Sequence, residues 1–255
     1  MLAKTIDQRL LSKFSVGLNL DASIKELDAF YSRFGSYIES VYYSVPLGRR
    51  YYSRDSLADE FDRHNPDFHL ASSFGIVKSH GIQMELAANT VGLSHDDLFR
   101  LKTYVIENNV YPDSIVCLPE YADFFKRNLP NTRLRLSFNA SCSTGVSADF
   151  DSVVVGKNYL RSGTMRKNLV DSGIEMVLLL NAGCSFSCKN GCGNAEYCKS
   201  ILDANLEHFN VNELYAQQSF FPIELTHLLN VDPCANQYKF KISNRTLGLG
   251  FTEYV

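Results

Sequence analysis

The sequence alternates short apolar segments, each the length of a β-strand, with segments that have the periodicity of an amphipathic helix. Eight strand segments are predicted, and most are continuous runs rich in β-branched residues, as is typical of strands buried on both faces of a parallel sheet. They span residues 14–20, 40–46, 81–89, 114–119, 133–139, 151–156, 175–181 and 238–243. Strand–helix alternation repeated to a count of eight predicts an α/β fold, a (β/α)8 barrel of the TIM type.

A doubly wound open sheet is the alternative architecture, but its nucleotide-binding form carries a glycine-rich first turn. Here the first predicted strand runs into GLNLDASI, which contains one glycine. No internal repeat or low-complexity linker divides the chain, so we expect one barrel domain over residues 1–255. Few residues follow the eighth strand. We therefore expect the last helix to be missing and the barrel to be incomplete or open on that side, where a partner subunit could bind.

Two features between the strands stand out. Helical patterns begin at Asp21 and at Ser94, both suited to N-capping, and acidic residues follow Ser94 in the first turn. The connection at about 47–80 is too long for an ordinary βα loop, and long inserts at the active face of a barrel often serve as lids.

Composition narrows the function classes. The net charge of −3 at pH 7 gives no general basic footprint for nucleic acid, although a local basic patch stays open. No apolar run approaches the 18 or so residues of a membrane span, and the first residues lack the zones of a signal peptide. We therefore expect a cytoplasmic protein, in whose compartment clustered cysteines bind metal more often than they form disulfides.

Active sites of barrels lie at the carboxyl ends of the strands, and asparagine recurs at these positions. Amide side chains offer both a donor and an acceptor, so a ring of them could orient a polar substrate. The other interpretation is that asparagine simply tolerates the turn conformations that follow strands. The four residues concerned are Asn19, Asn89, Asn139 and Asn181, and of these Asn181 is also a catalytic candidate.

Charged residues supply the remaining candidates. Glu85 lies within an otherwise apolar strand, so its carboxylate must be paired, protonated or directed into the barrel mouth, and we predict an acid/base role for it. Arg49 and Arg50 follow the second strand in LGRRYYSR, and guanidinium groups bind phosphate or carboxylate with two hydrogen bonds. Together with Arg245 they are the candidates for holding an anionic substrate.

Four cysteines fall within NAGCSFSCKNGCGNAEYC, directly after the seventh strand, in the spacing C-x3-C-x3-C-x5-C. The chain has seven cysteines in all, an odd number that leaves at least one outside any disulfide framework. Structural zinc usually uses two C-x2–4-C knuckles separated by a longer stretch. Thiolates crowded into one glycine-containing loop favour a [4Fe–4S] cluster, with zinc as the alternative.

The fourth ligand of such a cluster is open. Cys184, Cys188 and Cys192 are the first three candidates. Cys234, just before the eighth strand, is the predicted fourth because loops of neighbouring strands are close in a barrel. Cys198 is the substitute. Cys117 and Cys142 are interpreted as small buried hydrophobic residues.

The segment LLLNAGCSFSC, followed by Cys234 and then YKFKISNRT, resembles the late strands and loops of the collagenase-like peptidase family. The resemblance covers about the last third of the chain. It implies a barrel with a cysteine cluster, and several bacterial members of that family are similar to iron–sulfur proteins that hydroxylate tRNA uridines or ubiquinone precursors without oxygen. Ser243 stands where the family pattern K-I-E-G-R has its acidic residue.

A weaker resemblance is to radical S-adenosylmethionine enzymes, whose C-x3-C-x2-C loop is one residue shorter and follows their first strand. Together these features lead us to expect an iron–sulfur barrel enzyme or enzyme subunit that carries out redox modification, of the hydroxylation type, on a nucleic-acid base or a small metabolite. Its substrate would be polar or anionic, with tRNA as one possibility. A zinc-stapled scaffold subunit without catalysis is the rival from another class.

Overall fold

The computed structural model describes residues 8–19, 22–45, 47, 66–90, 92–137, 149–155, 162–180, 222–242 and 252. Its centre is a closed ring of eight parallel strands that follow one another in chain order. The strands are β1 Phe14–Gly17, β2 Ile38–Tyr43, β3 Gln83–Ala88, β4 Ser114–Cys117, β5 Arg133–Leu136, β6 Ser152–Val155, β7 Glu175–Leu179 and β8 Lys239–Ile242. The predicted (β/α)8 fold is confirmed.

Helices alternate with these strands. In the described part of the chain they are α1 Ile24–Phe34, α2 Pro66–Ser79, α3 His95–Glu107, α4 Pro119–Asn128, α5 Gly163–Asp171 and α6 Pro222–Val231. Short 3-10 turns occupy Gln8–Leu10, Gly35–Tyr37 and Ala235–Gln237.

Local chemistry explains where these helices begin and end. Ser94 caps α3 in a capping box with Asp97, as its sequence predicts, because each side chain accepts a hydrogen bond from the backbone of the other. The predicted cap of α1 at Asp21 is wrong: Ser23 caps it, in a capping box with Glu26. Gly173, at φ +78°, follows the end of α5 in the left-handed conformation that glycine adopts without strain.

Strand pairing assigns every strand residue to one of two faces. Tyr42 pairs with Glu85, and Glu85 pairs with Ser114, so these three share a face, while Leu86 and Ile115 share the other. The face of Leu86 and Ile115 packs against the helices in the main hydrophobic core. The face of Glu85 lines the barrel interior, which also holds a separate apolar cluster of Val154, Val177 and Leu179.

The pairing between β1 and β2 contains one irregularity. Phe14 pairs with Ile38 and Ser15 pairs with Ser40, so Glu39 is an extra residue in β2. Such a bulge redirects a side chain locally. Glu39 forms an ion pair with Lys239 of β8, across β1.

The structure bears on two expectations. The strand ring is closed by the pairing of β1 with β8, so no gap exists between the first and last strands, and the predicted absence of the last helix falls on residues outside those described. The predicted long loop insert at about 47–80 is wrong in its second half, because that half is α2, a regular helix of the outer layer. The first half, residues 48–65, lies outside the described residues, as does the chain after β8 apart from Thr252.

None of the described helices is both long enough and apolar enough to span a bilayer.

Candidate active site

Glu85 is fully buried inside the barrel and is paired with two cations. One carboxylate oxygen, Oε2, accepts from Nη1 of Arg135 on β5, and the other, Oε1, accepts from Nζ of Lys241 on β8. Burial alone would raise the pKa of Glu85, but the positive charges of Arg135 and Lys241 outweigh it and hold that pKa below its usual range.

This pairing bears on the predicted acid/base role of Glu85. A carboxylate with a lowered pKa and two cationic partners stays ionised at neutral pH, and none of its side chain reaches solvent. A general acid or base needs contact with the reacting group and a pKa near the working pH. The geometry therefore makes Glu85 the anion that positions Arg135 and Lys241.

The ion pairs continue from Arg135 to Glu175 on β7. Nη2 of Arg135 is 3.2 Å from Oε1 of Glu175, and Nε of Arg135 donates to Oγ of Ser152 at 2.9 Å. Burial lowers the pKa of Arg135, but Glu85, Glu39 and Glu175 together raise it. Lys241, Glu85, Arg135 and Glu175 form what we call the interior ion-pair chain, with charges that alternate along it.

Small residues on the intervening strands make room for the interior ion-pair chain. The pair of Glu85 and Arg135 joins β3 to β5 across β4, where Ser114 faces the interior and hydrogen-bonds Glu85. The pair of Arg135 and Glu175 joins β5 to β7 across β6, where Ser152 is the intervening residue. Serine leaves the interior space that long charged side chains need, and its hydroxyl also hydrogen-bonds them.

Lys241 is the member of the chain nearest the mouth, by which we mean the opening at the carboxyl ends of the strands. It pairs with Leu179, the last residue of β7. Its ammonium nitrogen is 4.2 Å from the ring centroid of Tyr42, and Oη of Tyr42 donates to the carbonyl oxygen of Ile242 at 3.0 Å. The mouth therefore receives the positive end of the interior ion-pair chain.

Two of the predicted asparagines are described, and both follow strands at the mouth. Asn19 is exposed after β1. Asn89 follows β3, and its Nδ2 donates to Oγ of Ser137, which follows β5, at 3.1 Å. Asn89 thus joins two strand ends that are not neighbours in the ring. The remaining predicted residues, Arg49, Arg50, Asn139, Asn181, Arg245, Cys184, Cys188, Cys192 and Cys198, lie outside the described residues.

Cys234 is the one predicted ligand that the structure describes. It lies between the end of α6 and the start of β8, and its N–H donates to Oδ1 of Asp232 at 2.9 Å. This is the amino end of the barrel, whereas β7 delivers the cysteine-rich segment at the carboxyl end. Cys184, Cys188, Cys192 and Cys198 lie outside the described residues, so the choice between Cys234 and Cys198 as the fourth ligand stays a prediction.

Cys117, interpreted from the sequence as a small buried residue, is buried at the end of β4. Burial raises the pKa of its thiol to about 12, which keeps it protonated and unreactive. Within the ranges that the structure describes, no three histidine, cysteine, aspartate or glutamate side chains come together in a way that could hold a metal ion.

The barrel is similar to solved structures of several enzymes. The U32 peptidase Mk0906 matches with a TM-score of 0.52 and 10% identity, covering 96% of this chain and 98% of that one. A glycerophosphodiester phosphodiesterase from Agrobacterium tumefaciens matches with a TM-score of 0.48 and 8% identity, over 92% and 96% of the two chains. No family model matches the sequence, and neither does any curated protein.

At these identities the likeness shows the fold alone. The match to a U32, or collagenase-like, peptidase supports the resemblance seen in the late segments at the level of the barrel. The comparisons provide no support for iron–sulfur or S-adenosylmethionine chemistry.

Sequence reasoning missed Arg135, Glu175 and Lys241. A signal for Arg135 and Lys241 was present, because RLRL of β5 and KFKI of β8 alternate charged with apolar residues, whereas Glu175 begins the otherwise apolar run EMVLL. In a closed barrel one of the two faces of each strand is the interior, so this alternation means a charged interior. The prediction of strands that are mostly apolar on both faces misses this charged interior.

Proposed function

We propose that this chain is an iron–sulfur barrel enzyme, or the catalytic subunit of one, that carries out redox modification of a substrate with an anionic group. The cluster would be held by Cys184, Cys188, Cys192 and Cys198 in the segment that leaves β7, and the substrate would bind at the mouth. The substrate class is a nucleotide base or a small metabolite.

The observation that carries this proposal is the position of the end of β7. The strand ends at Leu179 on the face where barrel enzymes place their catalytic groups, and Cys184 follows five residues later. Five residues span at most about 17 Å, so the first thiol can lie at or near the mouth. Soft thiolate donors suit iron–sulfur clusters and zinc, and exclude magnesium or calcium as the preferred ion.

Lys241 supports the anionic substrate. Its side chain is 11% exposed, whereas those of Arg135 and Glu85 are 4% and 0% exposed. Glu85 holds its ammonium group in place, so an arriving phosphate or carboxylate meets a fixed positive charge in a site of low dielectric constant. The ring of Tyr42 covers one side of this charge and limits its hydration.

The residues at the mouth and in the interior ion-pair chain would have different roles in binding the substrate. Lys241 attracts and orients the anionic group, Glu85 and Arg135 hold Lys241, and Asn89 offers an amide to a polar part of the substrate beside Ser137. The cluster, when bound, supplies electron transfer or activates an oxygen-bearing group.

The metal is tested by purifying the protein without oxygen and measuring iron, sulfide, zinc and visible absorption. We expect a brown protein with about four irons per chain, as a [4Fe–4S] cluster requires. Each of four single alanine variants should contain much less iron, namely those at Cys184, Cys188, Cys192 and Cys198. The matched control is Cys234→Ala at the amino end, which should retain its iron. One zinc per chain without colour would refute the redox proposal and favour the scaffold function.

The substrate site is tested separately by measuring the binding of inorganic phosphate with titration calorimetry. Lys241→Gln should weaken binding at least tenfold. Lys239→Gln is the matched control, because Lys239 lies on the same strand and the same face but at the amino end. An equal loss in both variants would show that Lys241 has no special role at the mouth.

A further inference from the structure

Two serine hydroxyls inside the barrel have no hydrogen-bond partner among the described residues. They belong to Ser15 of β1 and Ser40 of β2, each 1% exposed, and these two residues pair directly in the sheet. Glu39, one position before Ser40, has a carboxylate oxygen in the same condition. Three of the five such buried oxygens in the described part of the chain thus lie on these two adjacent strands.

Two other interior serines behave differently. Ser152 accepts a hydrogen bond from Arg135, and Ser114 hydrogen-bonds Glu85. All four serines lie on strands that an interior ion pair crosses. Of the four, only Ser15 and Ser40 have hydroxyls without a hydrogen bond, and the pair that crosses their strands is that of Lys241 and Glu85.

The ion pairs also differ in how many strands they cross. Ser114 and Ser152 each lie on the one strand that their pair crosses, whereas the pair of Lys241 and Glu85 crosses two, β1 and β2. Neighbouring strands are about 4.8 Å apart, so this pair spans three such intervals instead of two. Ser15, which pairs with both Ser40 and Lys241, faces the interior on these strands together with Ser40. Tyr42 shares that face of β2, and its ring centroid is 4.2 Å from Nζ of Lys241.

An interior hydroxyl without a hydrogen bond is costly, and folded proteins satisfy nearly all such groups. We propose that the protein binds ordered water, one or two molecules, between Ser15, Ser40 and the pair of Lys241 and Glu85. A buried water typically makes about three hydrogen bonds to polar groups that would otherwise lack them, and this place offers both hydroxyls and the charged pair. The site is independent of the cluster and of the substrate.

This water site gives Lys241 a second support. Glu85 fixes the ammonium group from β3, and the water connects the same region to β1 and β2. A continuous polar contact thus runs from the mouth to the serines, and the position of Lys241 depends on all four strands from β8 to β3.

The test combines a crystal structure at about 1.5 Å resolution with stability measurements on single and double variants. Electron density within hydrogen-bond distance of Oγ of both Ser15 and Ser40 is expected. Crystals grown with bromide should show no anomalous signal there, and a bromide peak would overturn the assignment to water.

Measurements of stability distinguish hydroxyls that bind water from hydroxyls that lack any partner, because the alanine variants change the folding equilibrium constant in different directions. If water bonds the hydroxyls, Ser15→Ala and Ser40→Ala should each lower the folding equilibrium constant about three- to tenfold, and the double variant should lose less than the product of the two. If the hydroxyls truly lack partners, each alanine variant should be as stable as the parent or more stable, which would overturn the proposal. Ser152→Ala is the control for loss of a direct hydrogen bond.

Discussion

The two faces of the β-barrel are built on different physical principles. The outer face and the helices around it form one continuous apolar core, in which Phe14, Leu86 and Phe240 are fully buried. The inner face holds alternating charges, and the apolar cluster there, among the described residues, consists of Val154, Val177 and Leu179. Barrels usually fill their interior with branched apolar residues.

The contrast shows which part of the barrel stabilises the fold and which part fixes the positions of the side chains at the mouth. Burial of apolar area is favourable and has no direction. Buried ion pairs contribute little net stability, because desolvation offsets the attraction, but they fix the partners in defined places. The outer layer therefore holds the fold together, and the inner layer orients Lys241 at the mouth.

The largest effect should follow from Arg135→Met. This change leaves Glu85 and Glu175 without their shared cation in the interior, and breaking a buried pair in this way costs about 3–5 kcal/mol. Urea unfolding measures it. The control is Arg133→Met on the same strand, whose side chain is 47% exposed and whose loss should cost no more than about 1 kcal/mol. Equal costs would show that the interior charges are not truly buried.

A cavity in the outer layer should cost nearly as much, for a different reason. Leu134 neighbours Arg135 on β5, faces the helices and is 2% exposed. Leu134→Ala should lower the free energy of unfolding by about 2–5 kcal/mol through lost burial and the remaining cavity. The cost should be the same at pH 4 and pH 7, since no charge is involved. A strong dependence on pH would contradict the division between the two faces.

Acid should weaken the inner face selectively. The pKa of Glu85 is lower in the folded protein than the value of 4.5 for the free side chain, so its contribution to stability is complete above that value. The contribution is lost as the pH falls through the folded-state pKa. Unfolding free energies between pH 7 and pH 3 should therefore fall less steeply in Glu85→Gln/Lys241→Met than in the parent. Parallel curves would mean that Glu85 carries no ion-pair stability.

The smallest effect should come from the outer helices. Ser94→Ala removes the hydroxyl that caps α3 and should cost about 1 kcal/mol, with no change in phosphate binding at the mouth. Thermal unfolding together with calorimetry measures both. Weakened phosphate binding in this variant would show that the outer layer also sets the position of the mouth residues.

The difference between the faces also explains what the sequence could predict. All eight strands were found because the outer face makes each one visibly apolar, and Ser94 was found because capping is a local property. The barrel itself was predicted from the count of eight strands, but the direct pairing of β1 with β8 could not be seen in any local pattern, because it joins segments far apart along the chain.

The site was predicted less well. Glu85 stood out as a charge in an apolar strand, but its partners come from β5 and β8, more than 45 residues away along the chain. Cys234 is predicted as a ligand because its strand neighbours β7; it precedes its strand, whereas the cysteines of the segment after β7 follow theirs, and this prediction stays untested. Direction along the strand decides which end of a barrel a residue occupies, and the sequence already contained that information.

The pairing of β1 with β8 has a consequence for how the protein is made. Phe14 pairs with Phe240, so the ring cannot close until β8 has left the ribosome. Until then β1 and the latest strand to emerge both expose unpaired backbone, which is a template for pairing with other chains. Synthesis therefore includes an interval in which the unfinished barrel must be protected from pairing with other chains. The slow step of folding is expected to be the pairing of β1 with β8.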